Sequence, residues 1–188
     1  QGIYEFLGAP YTIHTISSGV LGMEQLIATG GGWQDLIGGL VCGIKLITTG
    51  PGIEQEPTVE ILSVHPEVME ELQKRFALIY TGQQRLAQAL LRKVVGNYLG
   101  NCRESLEALE QMRPLTLQMK KELEQGRIDA FAALLNRHWE LSLKLDPAAT
   151  NACIEQIFLA CEDLIDGRFV CGASGGGFLQ VIMKRGIT

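Results

Sequence analysis

The sequence predicts an α+β fold, in which short strands flank a run of helices. Two apolar runs, 58–64 and 76–80, come before the helical stretch, and two more, 168–171 and 178–183, follow it near the end of the chain. Strands that are grouped apart from helices are typical of α+β domains. The alternation of apolar and polar residues in 58–64 favours a strand with one buried face.

The first fifty residues predict a helix and a strand before a boundary. Residues 13–28 carry apolar side chains at helical spacing, and a glycine-rich stretch follows. Residues 40–47 are mostly apolar, which favours a buried strand. Gly50-Pro51-Gly52 then interrupts the pattern. We therefore expect one domain over 1–50 and a second over 51–188.

Four helices are expected between the strands of the second domain. The first begins near Leu86, and the second covers 103–124, with a kink or a fresh start near Pro114. The third covers 128–143, where apolar residues recur at helical spacing.

The fourth helix has start and stop signals. Asp146 is placed to cap its beginning, Pro147 suits its first turn, and Gly167 follows its end. The glycine loop between the last two strands then completes the α+β order.

Composition narrows the class of protein. The 188 residues are 46% hydrophobic with a net charge of −5, enough for a good core and without the basic surface of a nucleic-acid binder. No apolar run reaches the roughly 18 residues that span a bilayer.

The cysteines and histidines predict no zinc site. The five cysteines are scattered without a Cys-x-x-Cys pair, which predicts reduced thiols in the cytoplasm, and the three histidines lack the spacing of zinc ligands. The chain begins at Gln1, so we expect a piece of a longer protein.

Two glycine clusters are the main functional signal. The first is Thr29-Gly30-Gly31-Gly32-Trp33-Gln34-Asp35-Leu36-Ile37-Gly38-Gly39, and the second is Gly172-Ala173-Ser174-Gly175-Gly176-Gly177-Phe178. Glycine lets backbone approach a ligand closely, and freed N–H groups can cradle an anion. The alternative is that both clusters are flexible connectors.

Asp35 is the only acid inside a glycine-rich element. A carboxylate beside a sugar hydroxyl could accept its proton or orient it during attack on phosphorus. Phosphoryl transfer needs positioning and phosphate donors more than covalent chemistry. The chain has no Gly-x-x-x-x-Gly-Lys-[Ser/Thr] loop, so a P-loop nucleotidase is excluded.

Three segments carry a resemblance to a known family. Gly30-Gly31-Gly32-Trp33-Gln34-Asp35 resembles a catalytic-aspartate motif, and Tyr80-Thr81-Gly82-Gln83-Gln84-Arg85-Leu86-Ala87 resembles a Tyr-[Ser/Thr]-Gly-x-x-Arg-Leu-Ala segment. Residues 172–178 resemble the third glycine motif of the GHMP kinases. In this order and spacing they resemble the C-terminal part of GHMP-family sugar kinases, above all the kinase half of bifunctional L-fucokinase/GDP-fucose pyrophosphorylases.

The resemblance implies a fold and a reaction. The fold would be the tail of the N-terminal kinase domain followed by a C-terminal domain with a ferredoxin-like sheet and packed helices. The reaction would be phosphorylation of L-fucose to L-fucose 1-phosphate by ATP with Mg²⁺, for GDP-fucose synthesis. A pyrophosphorylase domain fused upstream and a homo-oligomer are further expectations, with no nucleic-acid or membrane partner. The alternatives are a heptose kinase or other sugar kinase, and a non-catalytic GHMP-like binding or assembly domain.

The resemblance also implies roles for single residues. Asp35 would be catalytic, and Glu24 would bind magnesium. The sugar-binding residues would be Gly31, Gly32, Trp33 and Gln34, and the phosphate-binding residues would be Gly172, Ala173, Ser174, Gly175, Gly176 and Arg85. For Trp33 simple packing, for Glu24 a solvent-facing position, and for Arg85 a cap or salt bridge stay open as alternatives.

Two departures from the family pattern and one gap affect these expectations. Leu36 stands where the fucokinase pattern continues with Gln, and Ser174 stands at a glycine position. A positive φ at Ser174 would cost on the order of 1 kcal/mol. The family's Pro-x-x-x-Gly-Leu-Gly-Ser-Ser nucleotide motif does not occur before Gly30. We therefore expect the isolated chain to be inactive and its parent protein to be active.

Overall fold

A computed structural model describes residues 2–26, 33–52, 57–83, 87–172 and 174–187, with the side chains of 13, 14, 24, 25 and 87–91 excluded. The chain divides into two compact units, Gln1–Ile61 and Leu62–Thr188. None of the helices in the described ranges is long and apolar enough to cross a membrane.

Among its described residues, the first unit contains three helices and a two-stranded sheet. Helices α2 (Ile13–Leu26) and α3 (Trp33–Leu40) pack together, with Ile16 and Ile37 buried. The strands pair antiparallel, with Lys45 opposite Ile61 and Thr48 opposite Thr58. The elements are α1 (Gly2–Leu7), α2 (Ile13–Leu26), α3 (Trp33–Leu40), β1 (Lys45–Thr48) and β2 (Thr58–Ile61).

The structure corrects two expectations for this unit. The glycine-rich stretch is helical from Trp33, although interior glycines cost a helix about 1 kcal/mol each. The expected strand over 40–47 begins only at Lys45, because Leu40 still belongs to α3 and Gly43 turns the chain with φ +87°. The Lys45 ammonium donates to the carbonyls of Gly38 and Val41 at the end of α3, a stabilising position for a cation.

The unit extends past the expected boundary at residues 50–52. The two strands on either side of this segment pair with each other, so the chain stays compact up to Ile61. The strand expected over 58–64 ends at Ile61. The division into two kinase domains stays a prediction.

The second unit contains five helices, a short 3₁₀ helix and three strands among its described residues. The expected strands at 76–80 and 178–183 are confirmed to the residue, and so is the extent of the long helix 103–124, which continues through Pro114. The elements are α4 (Pro66–Arg75), β3 (Phe76–Tyr80), α5 (Ala87–Leu99), α6 (Arg103–Glu124), α7 (Ile128–Leu145), the 3₁₀ helix (Pro147–Ala149), α8 (Ala152–Cys161), β4 (Ile165–Val170) and β5 (Phe178–Met183).

Three strands form an antiparallel sheet in the order β3-β5-β4. Tyr80 faces Phe178 across the first pair, and Val170 faces Leu179 across the second. The core of the unit lies between this sheet and helices α7 and α8, and its fully buried members include Trp139, Ile154, Phe158, Val170, Leu179 and Val181.

One helix of this unit was not predicted, and one predicted helix is wrong in its bounds. The sequence pattern did not indicate α4, which begins with Pro66 in its first turn, a favoured helix start. The expected fourth helix is split. Asp146 caps the 3₁₀ helix, whereas the Asn151 side chain caps α8 by accepting a hydrogen bond from Ile154 N–H at 3.1 Å. The helix ends at Cys161, so Gly167 lies inside β4.

Candidate functional site

Residues 172–177, which we call the glycine loop, connect β4 to β5. Among its described residues, Gly172, Ser174, Gly175 and Gly177 have φ of 67°, 69°, 76° and 78°. Glycine adopts this left-handed region without cost, whereas a serine is strained there by on the order of 1 kcal/mol. The condition for strain at Ser174 is therefore met.

One side of the glycine loop is fastened to the segment that follows β3. Gly177 N–H donates to the carbonyl of Gln83 at 2.8 Å. In return, the backbone N–H and the hydroxyl of Thr81 donate to the carbonyl of Gly177 at 2.9 and 3.0 Å. A Cβ on Gly176 would lie 3.0 Å from the Gln83 carbonyl oxygen. The contact therefore favours glycine at position 176, because a larger residue would have to push the Gln83 carbonyl away by a few tenths of an ångström.

The other side of the glycine loop is fastened to the chain between α7 and α8. Gly175 N–H donates to the carbonyl of Ala149 at 2.7 Å. The Asn151 side-chain amide donates to the Gly175 carbonyl at 2.9 Å and to the side-chain oxygen of Gln83 at 3.1 Å. Gly175 and Gly177, which both lie in the second half of the loop, are thus held by residues distant in sequence.

These bonds decide which loop amides remain for a ligand. The N–H groups of Gly175 and Gly177 are already used by protein carbonyls. The hydrogen bonds of the described residues include none from the N–H of Gly172, which is exposed, or of Ser174, which is half-buried. An anion bound by this loop would therefore accept hydrogen bonds from the N–H groups of Gly172 and Ser174.

An ion pair between exposed Lys93 and buried Asp146 supports the turn that carries Ala149. Asp146 is 3% exposed, and its Oδ1 accepts hydrogen bonds from Lys93 Nζ at 2.7 Å and Ala148 N–H at 3.1 Å. Its Oδ2 is buried without a hydrogen-bond partner among the described residues. The pair links α5 to the 3₁₀ helix, whose last carbonyl binds Gly175.

In the first unit, α3 presents three of the expected sugar-site residues. Trp33 is half-buried at the start of the helix, and Gln34 and Asp35 are exposed in the first turn. An acidic side chain in a first helical turn interacts favourably with the helix dipole. The Asp35 carboxylate is thus open to solvent.

Several expected site residues lie outside the described residues. They are Gly31, Gly32, Arg85 and Ala173; Glu24 lies on α2, but its side chain is not among those described. Among the side chains that are described, no three His, Cys, Asp or Glu form a group that could hold a metal.

Sequence reasoning missed Ala149, Asn151 and the anchoring role of Gln83. One local signal was available, because asparagine is a preferred N-cap and Asn151 lies three residues before Ile154. The carbonyls of Ala149 and Gln83 carry no such signal, since any residue supplies a carbonyl.

The chain is similar to two curated proteins along nearly its full length. It is 33% identical over 184 residues to the bifunctional fucokinase/GDP-fucose pyrophosphorylase of Arabidopsis thaliana, covering 98% of this chain and 17% of that protein. It is 33% identical over 182 residues to the L-fucokinase/L-fucose-1-P guanylyltransferase of Bacteroides fragilis, covering 97% and 19%. The chain thus spans less than a fifth of these relatives. No family model matches it.

Solved structures share the fold. A D-glycero-D-manno-heptose 1-phosphate kinase from Bacteroides thetaiotaomicron matches with a TM-score of 0.66 at 18% identity, covering 96% of this chain and 47% of that one. The L. major mevalonate kinase in complex with R-mevalonate matches with a TM-score of 0.63 at 14% identity, covering 76% and 40%. The GHMP kinase fold and the resemblance to fucokinases expected from the motifs are confirmed.

Proposed function

We propose that this chain is part of an ATP-dependent kinase that phosphorylates L-fucose at its anomeric hydroxyl. The observation that carries the proposal is the 33% identity to a bifunctional fucokinase over 98% of the chain. The GHMP kinase fold agrees with it. The product, L-fucose 1-phosphate, would serve GDP-fucose synthesis in the cytoplasm, in a protein that also carries a fused pyrophosphorylase domain.

Asp35 would act on the sugar. Its exposed carboxylate at the start of α3 supports a role in accepting or orienting the proton of the attacking hydroxyl. The neighbouring residues Trp33 and Gln34, together with Gly31 and Gly32, would line the sugar pocket. An aromatic ring and an amide suit the apolar face and the hydroxyl groups of a sugar.

The glycine loop would bind nucleotide phosphate. Its anchoring on both sides supports this role, because a preformed cradle of amides costs little ordering when an anion arrives. The amides of Gly172 and Ser174 are the donors that fit, with Ala173, Gly175 and Gly176 shaping the loop. Arg85 would add positive charge to the same phosphates.

Magnesium would accompany the nucleotide. Mg²⁺ is usually held by one or two carboxylates together with substrate phosphates and water. A single carboxylate such as Glu24 therefore suffices in principle. The ion would neutralise phosphate charge.

The proposal is tested by ADP release from the full-length natural protein with Mg·ATP and L-fucose. We expect turnover, and a loss of about a hundredfold or more in kcat for Asp35→Asn. Turnover only with a heptose phosphate, or with another sugar, would overturn the fucose assignment. No turnover with any sugar would favour the non-catalytic alternative.

The isolated chain gives a second test of the same proposal. We expect no turnover from residues 1–188 alone, because the family's main nucleotide motif does not occur before Gly30. Full activity of the isolated chain would contradict the proposal that the rest of the protein supplies the main nucleotide motif.

A further inference from the structure

One side chain joins three parts of the second unit at the glycine loop. The Asn151 amide nitrogen donates to the Gly175 carbonyl at 2.9 Å and to Gln83 Oε1 at 3.1 Å, while its oxygen accepts from Ile154 N–H at 3.1 Å. These partners lie 24, 68 and 3 residues away. Asn151 thus connects the glycine loop, the segment after β3 and the start of α8.

The position of this link matters because each of the other hydrogen bonds to the glycine loop reaches one neighbouring segment only, either the segment after β3 or the chain before α8. The bonds of Gly175 to Ala149 and of Gly177 to Gln83 fasten two points in the second half of the glycine loop to different segments. The Asn151 side-chain amide donates both to Gly175 of the glycine loop and to Gln83 in the segment after β3. Movement of the loop relative to that segment would therefore break at least one hydrogen bond of this amide group.

We propose that Asn151 is a positioning residue that sets the shape of the glycine loop for nucleotide phosphate. The inference rests on the proposed kinase function. Asn151 contacts the loop at the Gly175 carbonyl, whereas the N–H groups of Gly172 and Ser174 make no hydrogen bond among those of the described residues. Without these hydrogen bonds of Asn151 the glycine loop would be less ordered in the unliganded protein. Nucleotide binding would then have to order the loop, so the affinity for nucleotide would fall.

The alternative role for Asn151 is helix capping alone, and one substitution separates the two. Asn151→Asp keeps an oxygen that caps α8, since aspartate is as good an N-cap as asparagine. It replaces the amide donor with a second, charged acceptor facing the Gly175 carbonyl. The bond to Gly175 becomes a repulsion, while the cap is preserved.

A matched control is available in the same unit. Asn136 is also half-buried, donates to the Asp166 carbonyl at 2.8 Å and accepts from Arg168 N–H at 2.9 Å. It therefore makes the same kinds of bonds without contacting the glycine loop. Asn136→Asp measures the general cost of turning such an amide into a carboxylate.

The experiment is calorimetric titration of the full-length protein with Mg·ADP, beside the KM values for ATP and L-fucose. We expect Asn151→Asp to weaken ADP binding and raise the KM for ATP by about tenfold, with the KM for L-fucose nearly unchanged. Asn136→Asp should leave ADP affinity unaltered. Gln83→Ala, which removes one of the two links, should have a smaller effect.

The outcomes separate this inference from the proposed function. A wild-type protein that binds no nucleotide would overturn both. A wild-type protein that binds ADP, with Asn151→Asp binding equally well, would overturn the positioning role alone. If Asn151→Asp does not fold, Asn151→Ser provides the same test, because it keeps a capping oxygen and lacks the amide; unchanged ADP affinity there would reject the inference.

Discussion

Arg75 and Asp166 form an ion pair across 91 positions of the sequence, with Nη2 2.7 Å from Oδ2. Arg75 is 4% exposed and also bonds Glu71, Asp129 and the carbonyl of Met183. This one guanidinium therefore connects α4 with α7, β4 and β5. It explains how a helix without a strong sequence signal is held beside the sheet.

We predict that Arg75→Met lowers the free energy of unfolding by about 3 kcal/mol, because three carboxylates lose their shared buried partner. The measurement is urea denaturation followed by the fluorescence of Trp139 in a Trp33→Phe background. Lys74→Met, which breaks only the exposed pair with Glu70, should change stability by less than about 1 kcal/mol. Equal effects of the two substitutions would contradict the network's importance.

Gly167 lies at a close contact between β4 and α7. A Cβ at this position would lie 3.0 Å from the Cα, Cβ and carbonyl oxygen of Ala132. Gly167→Ala should lower the free energy of unfolding by about 2 kcal/mol through overpacking. Adding Ala132→Gly to this variant should restore part of the lost free energy of unfolding in the same urea experiment. No rescue would show that the backbone, and not the methyl group, is the obstacle.

The strain at Ser174 predicts opposite effects for two substitutions. Ser174→Gly removes the strain of φ 69° but adds the chain entropy of glycine, so stability should rise slightly, by about 0.5 kcal/mol. Ser174→Val should lower it by more than about 1 kcal/mol, because a β-branched residue tolerates this region poorly. Thermal unfolding of both variants checks the sign. A lower Tm for the glycine variant would contradict the strain.

Gly176 tests the fit of the glycine loop against the segment after β3. Gly176→Ala places a methyl group 3.0 Å from the Gln83 carbonyl oxygen, which should displace the loop and raise the KM for ATP by about tenfold. Steady-state kinetics of the full-length protein measure it. Gly96→Ala on α5 has open space around its Cβ and should leave the KM unchanged. A raised KM for ATP in both Gly176→Ala and Gly96→Ala would indicate a general loss of structure.

His138 predicts a pH dependence of stability. Burial lowers the pKa of His138 below its ordinary 6.5, and its Nδ1 is buried without a partner among the described residues. The unfolded chain then takes up a proton at higher pH than the folded one, so this stability is present above about pH 6.5 and is lost as the pH falls below it.

The free energy of unfolding from urea denaturation, measured from about pH 7.5 down to pH 5.5, should therefore decrease by at most about 1.4 kcal/mol per pH unit for this group. His138→Phe should flatten the decrease, since the ring packs on Phe169 at 4.9 Å and phenylalanine can replace that contact without titrating. His65→Gln, at an exposed position, should keep it. If the pH dependence of the free energy of unfolding is unchanged in His138→Phe, a group other than His138 causes it.

Local signals account for the parts of the fold that were predicted correctly. Strands β3 and β5 and helix α6 were placed to the residue, because apolar runs and helical periodicity extend over whole elements there. The prediction failed at α3, where glycines suggest a loop. Packing of Ile37, 3% exposed, outweighs the low helix propensity of glycine.

The sequence by itself determined where the glycines lie, the order of the three motifs and the position of Asp35. These are properties of neighbouring residues, and the positive φ of the glycine loop follows from them. Only the tertiary structure decided which loop amides are occupied. Gly175 bonds Ala149 and Gly177 bonds Gln83, and any residue offers a carbonyl, so no side-chain pattern records the choice. Packing brings those carbonyls within reach, and it also turns Asn151 from a helix cap into a link across the loop.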